Sequence, residues 1–237
     1  MTVAIHCEPK VEWQKKRIQD FSHGLTALGI EHGATSCRHR ISDIAILFGT
    51  TFWRDIERDG GKWMLVDRAS VGDPEYVQLV WNGHGQRGDH MTPDSIDDAR
   101  WNALGVKLEP QRIGFEGSGF DDTVICGQTE TYSPHWDRIE DWYASIEGAT
   151  HFRPHPAGDN PTGLPVKTDW HAKFHVLNSS IGIEAVIRGR PVKIHDQGCM
   201  AYGILDRQEW ANWLAWTQWS WDEIRAGKPI RHLFEAM

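Results

Sequence analysis

The chain predicts an α/β fold in which two successive α/β domains, each built on a parallel sheet, face a cleft. Three observations lead there. Apolar runs such as DIAILFGT (43–50) and KWMLVD (62–67) have strand length and read as strands buried on both faces. Helix-like amphipathic stretches separate them, and strand–helix alternation implies parallel strands joined by crossovers. The same alternation then starts again near residue 121. With 237 residues and 40% hydrophobic content, the chain can bury one large or two small cores.

Taken in order, residues 3–6 read as a strand and 13–28 as a helix closed by Gly29. Residues 43–50 form a second strand, 52–59 a short helix and 62–67 a third strand. Residues 68–109 are rich in Gly, Asp, Asn and Pro around WNGHGQRGDH. A stretch this long is expected to be a functional loop, ordered by Tyr76, Trp81 and Trp101. The second series begins with DDTVICGQ (121–128), a strand, and 136–146, an amphipathic helix. THFRPHP (150–156) is a strand broken by Pro154 and Pro156, and 157–168 is loop-like. HVLNSSIGIEAVIRGRPV (175–192) reads as strand, turn and helix, with Gly189 and Pro191 as its stop. VKIH (192–195) adds a last strand. In the tail, apolar positions 210, 213, 214, 221 and 224 mark one helical face, expected as a tryptophan-dense helix packing across both domains. The expected domains are 1–120 and 121–237.

The formal charge of −8 argues against a broadly basic nucleic-acid surface. The small clusters Arg38-His39-Arg40 and Arg188/Arg190 read as solvated faces, with a local basic groove as the alternative. Cys7, Cys37, Cys126 and Cys199 show neither CxxC nor zinc-finger spacing, as expected of reduced structural thiols. TVAIHCEPK lacks the charged start and apolar run of a signal peptide, and no window approaches the ~20 apolar residues of a membrane helix. A soluble, cytoplasmic protein with no membrane partner is expected.

Ligands of open α/β sheets bind outside the carboxyl ends of the strands. The polar residues expected there are Asp67, Arg68, Gln128, Arg153, His155, Asn178, Ser179 and Ser180. The turn at Asn178, Ser179 and Ser180 opens a helix whose first amides lack intrahelical acceptors, so it suits a phosphate, with Gly182 leaving room for it. Glu184, one turn on, suits a ribose diol. An ordinary serine cap with a dipole-favoured Glu explains the same residues. In HFRPHP, two prolines stiffen the backbone around His155, and Arg153 adds a guanidinium suited to phosphate.

VICGQ, RPHP and NSSIGIEAVIRGRPV, in this order, resemble the nucleotide-sugar-binding half of GT-B glycosyltransferases, which have two Rossmann-like domains. The likeness is nearest to the capsule-polysaccharide and Kdo-transferase-like group. MLVDRASVGDPEYVQLVWNGHGQRGDH is similar to small phage-encoded glycosyltransferases. The resemblance spans residues 60–220 and implies that Gln128, His155, Ser179, Ser180 and Glu184 hold a nucleotide-sugar donor, with Arg153 and Asn178 beside them. The short N-terminal half lacks the acceptor-binding elements of the capsule enzymes. An inverting transfer needs a carboxylate base, and Asp67 and Asp89 are the candidates. Arg68, His84, Arg87 and His90 are the expected acceptor-side residues, and hydroxymethylpyrimidine in phage DNA is the expected acceptor. No cofactor and no resident metal are expected. His171 and His175 lack a third ligand, and a divalent ion on His84, Asp89 and His90 is not needed by inverting GT-B enzymes. Three alternatives stand beside this reading: a glycan acceptor, a non-catalytic nucleotide-binding module, and a metal-dependent hydrolase built on residues 67–90.

Overall fold

The computed structural model describes residues 2–7, 12–37, 39, 41–48, 53–90, 92–93, 95–111, 115–117, 119–128, 138–156 and 158–230. Arg38 and Arg40 of the expected basic cluster lie outside the described residues. The first half runs β1 (Thr2–His6), α1 (Glu12–Ala27), β2 (Glu31–Thr35), β3 (Ile44–Phe48), α2 (Trp53–Arg58), β4 (Lys62–Arg68), β5 (Tyr76–Trp81) and α3 (Ala99–Leu104). The second runs β6 (Thr123–Cys126), α4 (Ile139–Ala144), β7 (His151–Arg153), β8 (Lys173–Val176), α5 (Ile181–Ile187) and β9 (Val192–Ile194). The tail holds α6 (Arg207–Trp216), β10 (Gln218–Ser220) and α7 (Trp221–Arg225).

The chain is therefore α/β with two sheets. By internal contacts it divides into two units. One comprises Met1–His84, Gly88–Leu104 and Asn212–Met237, and the other Gly85–Arg87 and Gly105–Ala211. The division falls at 104/105 rather than at the expected residue 120, and the tail returns to the first unit from Asn212 onward.

The first unit carries a sheet in the order β10-β5-β4-β3-β1-β2. Strands β2, β1, β3 and β4 are parallel, whereas β5 and β10 run antiparallel. Val3, Ile5, Ile46, Phe48, Met64 and Leu79 bury one face together with Phe21 and Leu25 of α1 and Trp221 and Ile224 of α7. Ala45, Leu47, Leu65 and Val80 bury the other against Ile56 of α2. Each fully buried side chain of this size contributes about 1.5–3 kcal/mol. Helix α1 stops in a Schellman motif, with Ile30 N donating to Leu25 O (3.0 Å) and Gly29 N to Thr26 O (3.0 Å). Gly29 supplies the positive φ of 68° that this turn requires.

Close helix packing inside this unit depends on Gly24. A Cβ there would run into the Ile224 carbonyl oxygen of α7, which is backbone and cannot swing aside. Gly24→Ala is expected to destabilise the protein by about 1–3 kcal/mol, the usual cost of overpacking, read as a lower urea midpoint.

Two expectations are corrected by these elements. The 68–109 stretch is not simply an ordered loop, since it contains β5, a 3-10 turn at Gly85–Arg87 and α3. The tail is not one helix. Trp219 and Gln218 pair with Val77 and Gln78 of β5, and a capping box between Ser220 and Glu223 starts α7 afresh. A Ser cap with Glu at N3 satisfies two amides locally, which competes with helix continuation.

The second unit carries a parallel sheet in the order β7-β6-β8-β9. Val124, Cys126, Phe174 and Val176 fill the face that includes Ile181 of α5. Ile125, Phe152 and Leu177 fill the face that includes Trp142 and Tyr143 of α4. Helix α5 ends in a second Schellman motif, Arg190 N to Ala185 O (2.8 Å) and Gly189 N to Val186 O (3.0 Å). No helix among the described residues is long and apolar enough to cross a membrane.

Candidate functional site

In the second unit the chain passes from β6 to β7 on one side, while β8 continues to β9 on the other. The crevice between the carboxyl ends of β6 and β8 is the topological switch point, where ligands of open α/β sheets lodge. The register places Cys126 opposite Arg153, Ile125 opposite His175 and Val176 opposite Ile194. Counting on from these pairs, His155, Gln128, Asn178 and Asp196 stand level, two residues past the end of each strand. The ladder does continue beyond the strands: Gly127 N donates to Arg153 O (2.7 Å) and His195 N to Val176 O (2.9 Å).

This row is polar, buried at Asn178 and Asp196 and half-buried at Gln128 and His155. Asn178 is 9% exposed and Asp196 1%. Asp196 Oδ1 accepts from the Arg87 guanidinium and from Gly198 N (2.6 Å). Among the described residues, Asp196 Oδ2, both amide atoms of Asn178 and Gln128 Oε1 are buried without a hydrogen-bond partner. Native structures contain few such atoms, and each asks for a water or a ligand. Tyr143 fixes the Gln128 backbone, accepting from Gln128 N (2.8 Å) and donating to Gln128 O (3.1 Å).

The unused atoms define a chemistry. Gln128 Oε1, Asn178 Oδ1 and Asp196 Oδ2 are acceptors, and only Asn178 Nδ2 donates. An acceptor-rich row suits a ligand that brings hydroxyl donors, such as a sugar ring or a ribose. A phosphate, which needs donors and cations, fits it poorly.

Beside the row, His175 Nδ1 and His195 Nε2 share one hydrogen bond of 2.9 Å, their rings stacked 5.2 Å apart. Phe115 lies edge-on to His175 at 4.9 Å and Trp142 edge-on to His195 at 5.9 Å. Burial, and then the charge of His195, Lys193 and Lys173, pull His175 down to about 4. Burial and Lys193 lower His195 as well. The pair is thus neutral near pH 7.

The other expected donor-side residues are placed differently. Helix α5 is seven residues long, and Gly182 N already donates to Ser179 O (3.0 Å). Ser180 is exposed and its side chain makes no capping bond; Ser179 Oγ accepts from Ile181 N at 3.4 Å instead. Gly182 packs beside Cys199 Sγ and Ile194, so its small size serves packing rather than a phosphate. Ser180→Ala is expected to change stability by less than about 0.5 kcal/mol in urea denaturation, as for a surface residue. Glu184 does not turn toward the Ser-Ser turn: Arg188, one turn on, donates to its carboxylate at 2.9 Å. Arg153 donates to Thr168 O (2.8 Å) and lies over the Trp170 ring at 4.5 Å, which commits it to the sheet face. His155 is half-buried, and its carbonyl accepts from Gly158 N (2.9 Å).

On the first unit, Asp67 and His84 come together, Nε2 to Oδ2 at 3.4 Å, while Asp67 Oδ1 accepts from Arg68 N (2.8 Å). Both side chains are partly exposed. Arg68 is exposed at the end of β4. Asp89 is exposed, its backbone bridging Trp81 in both directions (2.8 and 2.9 Å). His90, expected on the acceptor side, is instead a core residue, 7% exposed and edge-on to Trp213 at 5.3 Å. Arg87 belongs to the second unit, where it holds Asp196. Among the described residues no group of three or more His, Cys, Asp or Glu side chains is arranged to hold a metal ion.

Asp196 and Tyr143 were not among the expected residues. Asp196 ends the run VKIHD, as a polar residue just past a strand, which is the signal that marked Gln128 and Asn178. Comparison with models of known protein families, with curated proteins and with solved structures returned no match.

Proposed function

We propose that the second unit binds a nucleotide-sugar and that the protein is a glycosyltransferase of the GT-B type. One observation carries the reading: buried, unused hydrogen-bonding atoms of Gln128, Asn178 and Asp196 share a register row at a topological switch point. Their acceptor character supports the hydroxyls of a sugar or ribose as what the row holds. The resemblance of VICGQ, RPHP and NSSIGIEAVIRGRPV supports a nucleotide as the remainder of the ligand.

On this reading Asp67, paired with His84, takes the proton of the acceptor hydroxyl. The freed oxygen forms the new bond to the anomeric carbon as the bond to the diphosphate breaks, and the diphosphate leaves with the electron pair. Asp67 lies 3.4 Å from His84 at Oδ2, accepts from the Arg68 amide at Oδ1, and is partly exposed, which leaves its carboxylate open to an incoming hydroxyl. The proposed acceptor is a hydroxymethylpyrimidine in DNA. The net charge of −8 favours a glycan acceptor as the second reading.

Mass spectrometry of hydroxymethylated DNA, incubated with the protein and a mixture of nucleotide-sugars, tests the proposal. A hexose-sized mass gain on the base is the expected result. Donor binding without transfer to DNA or to a glycan panel would reduce the protein to a nucleotide-binding module. Absence of both binding and transfer would remove the reading altogether.

A further inference from the structure

Among the described residues strand β9 is an edge of the second unit's sheet, paired with β8. Phe174 N donates to Pro191 O and His195 N to Val176 O, so residues 191, 193 and 195 direct their backbone groups at β8. In a parallel ladder alternate residues face opposite ways. The N–H and C=O groups of Val192 and Ile194 therefore face the open side. Among the described residues no strand pairs with them there.

A groove of about 340 Å³ runs along this edge. Val192, Ile194, Ala201, Ile204 and Leu205 are among its apolar lining. Leu205 is 102% exposed, among the described residues one of three large apolar residues with exposed side chains. Among the described residues the lining also holds Arg190, Lys193 and Arg207 and no carboxylate, in a chain whose net charge is −8. Glu109 lies 3.6 Å from Arg190, and Arg207 is bound to the Val186 and Ile187 carbonyls. Lys193, exposed on β9 itself, is therefore the groove's most available charge.

We propose that this groove is a docking site for an extended acidic peptide segment of a partner protein, added to the sheet as a strand beside β9. Open main-chain groups supply the affinity of such strand addition, and alternate side chains supply the specificity. Here one side of the added strand meets Ile204 and Leu205, and its carboxylates meet Lys193 and Arg190. The apolar lining and the open strand edge favour a peptide over a nucleic acid, which would be recognised by cations and stacking platforms.

Fluorescence anisotropy tests this with a labelled eight-residue peptide of alternating valine and glutamate. Three comparisons accompany it: the same peptide N-methylated at alternate amides, the Lys193→Glu protein, and competition by a single-stranded oligonucleotide. The expected result is saturable binding weakened about tenfold or more by N-methylation and, separately, by Lys193→Glu, with little effect of the oligonucleotide. N-methylation leaves the protein untouched, so its outcome does not depend on a variant folding. The proposal is overturned by no binding at about 1 mM peptide, by indifference to N-methylation, or by displacement of the peptide by the oligonucleotide.

Discussion

Replacing Asn178 by leucine is expected to make the protein more stable and to weaken its donor binding by roughly 10–100-fold. Both amide atoms of Asn178 are buried without a partner among the described residues. Each such atom carries a desolvation penalty of about 1–3 kcal/mol that an apolar side chain of similar shape does not. A gain of about 1–2 kcal/mol follows, raising Tm by roughly 2–8 °C for a chain of this size. Losing the amide also removes up to two hydrogen bonds to the ligand, which weakens binding by roughly 10–100-fold. Scanning calorimetry and titration calorimetry on the same variant measure the two effects. A lowered Tm would mean that Asn178 serves the fold, and unchanged binding that it faces no ligand.

Acid is expected to unfold the protein through its histidine pair. His175 is 8% exposed and held near 4, well below its ordinary 6.5, first by burial and then by the neighbouring charges. Its neighbour His195 is lowered too. In the unfolded chain both rings take protons near 6.5, while the folded protein resists protonation, so the unfolded state binds more protons in this window. Stability is therefore complete above pH 6.5 and falls as pH drops toward 4. The His175 shift alone corresponds to about 3 kcal/mol over that interval. Urea midpoints measured at half-unit steps from pH 7.5 to 4 check this, and His175→Phe, which keeps the ring without the charge, is expected to flatten the slope. A slope unchanged in that variant would place the acid sensitivity elsewhere.

Much of the fold was legible because local signals and tertiary packing agree. The runs 43–50 and 62–67 became β3 and β4, and both Gly29 and Gly189 stop helices where a positive φ is needed. Strand β5 was hidden because YVQLVW sits among Gly- and Asp-rich neighbours, although all but its first residue are buried. Strand β10 is three residues inside a helical apolar period, and only its pairing with β5 makes it a strand. The site divides in the same way. Gln128, His155 and Asn178 could be found because they end strands. That they share a row with Asp196 depends on the register of four strands, which no local pattern encodes. Glu184 is the opposite case: Arg188 four residues on is a spacing that predicts an ion pair, and the pair forms.

The most direct measurement is an NMR titration of the side-chain amides of Gln128 and Asn178 with UDP-, GDP- and CDP-sugars. A donor seated at the switch point shifts both amide signals together, with one saturating affinity, and the Gln128 signal of the Asn178→Leu protein then needs roughly 10–100 times more donor to shift. Shifts confined to other residues, or binding that Asn178→Leu retains in full, would contradict a ligand at this row.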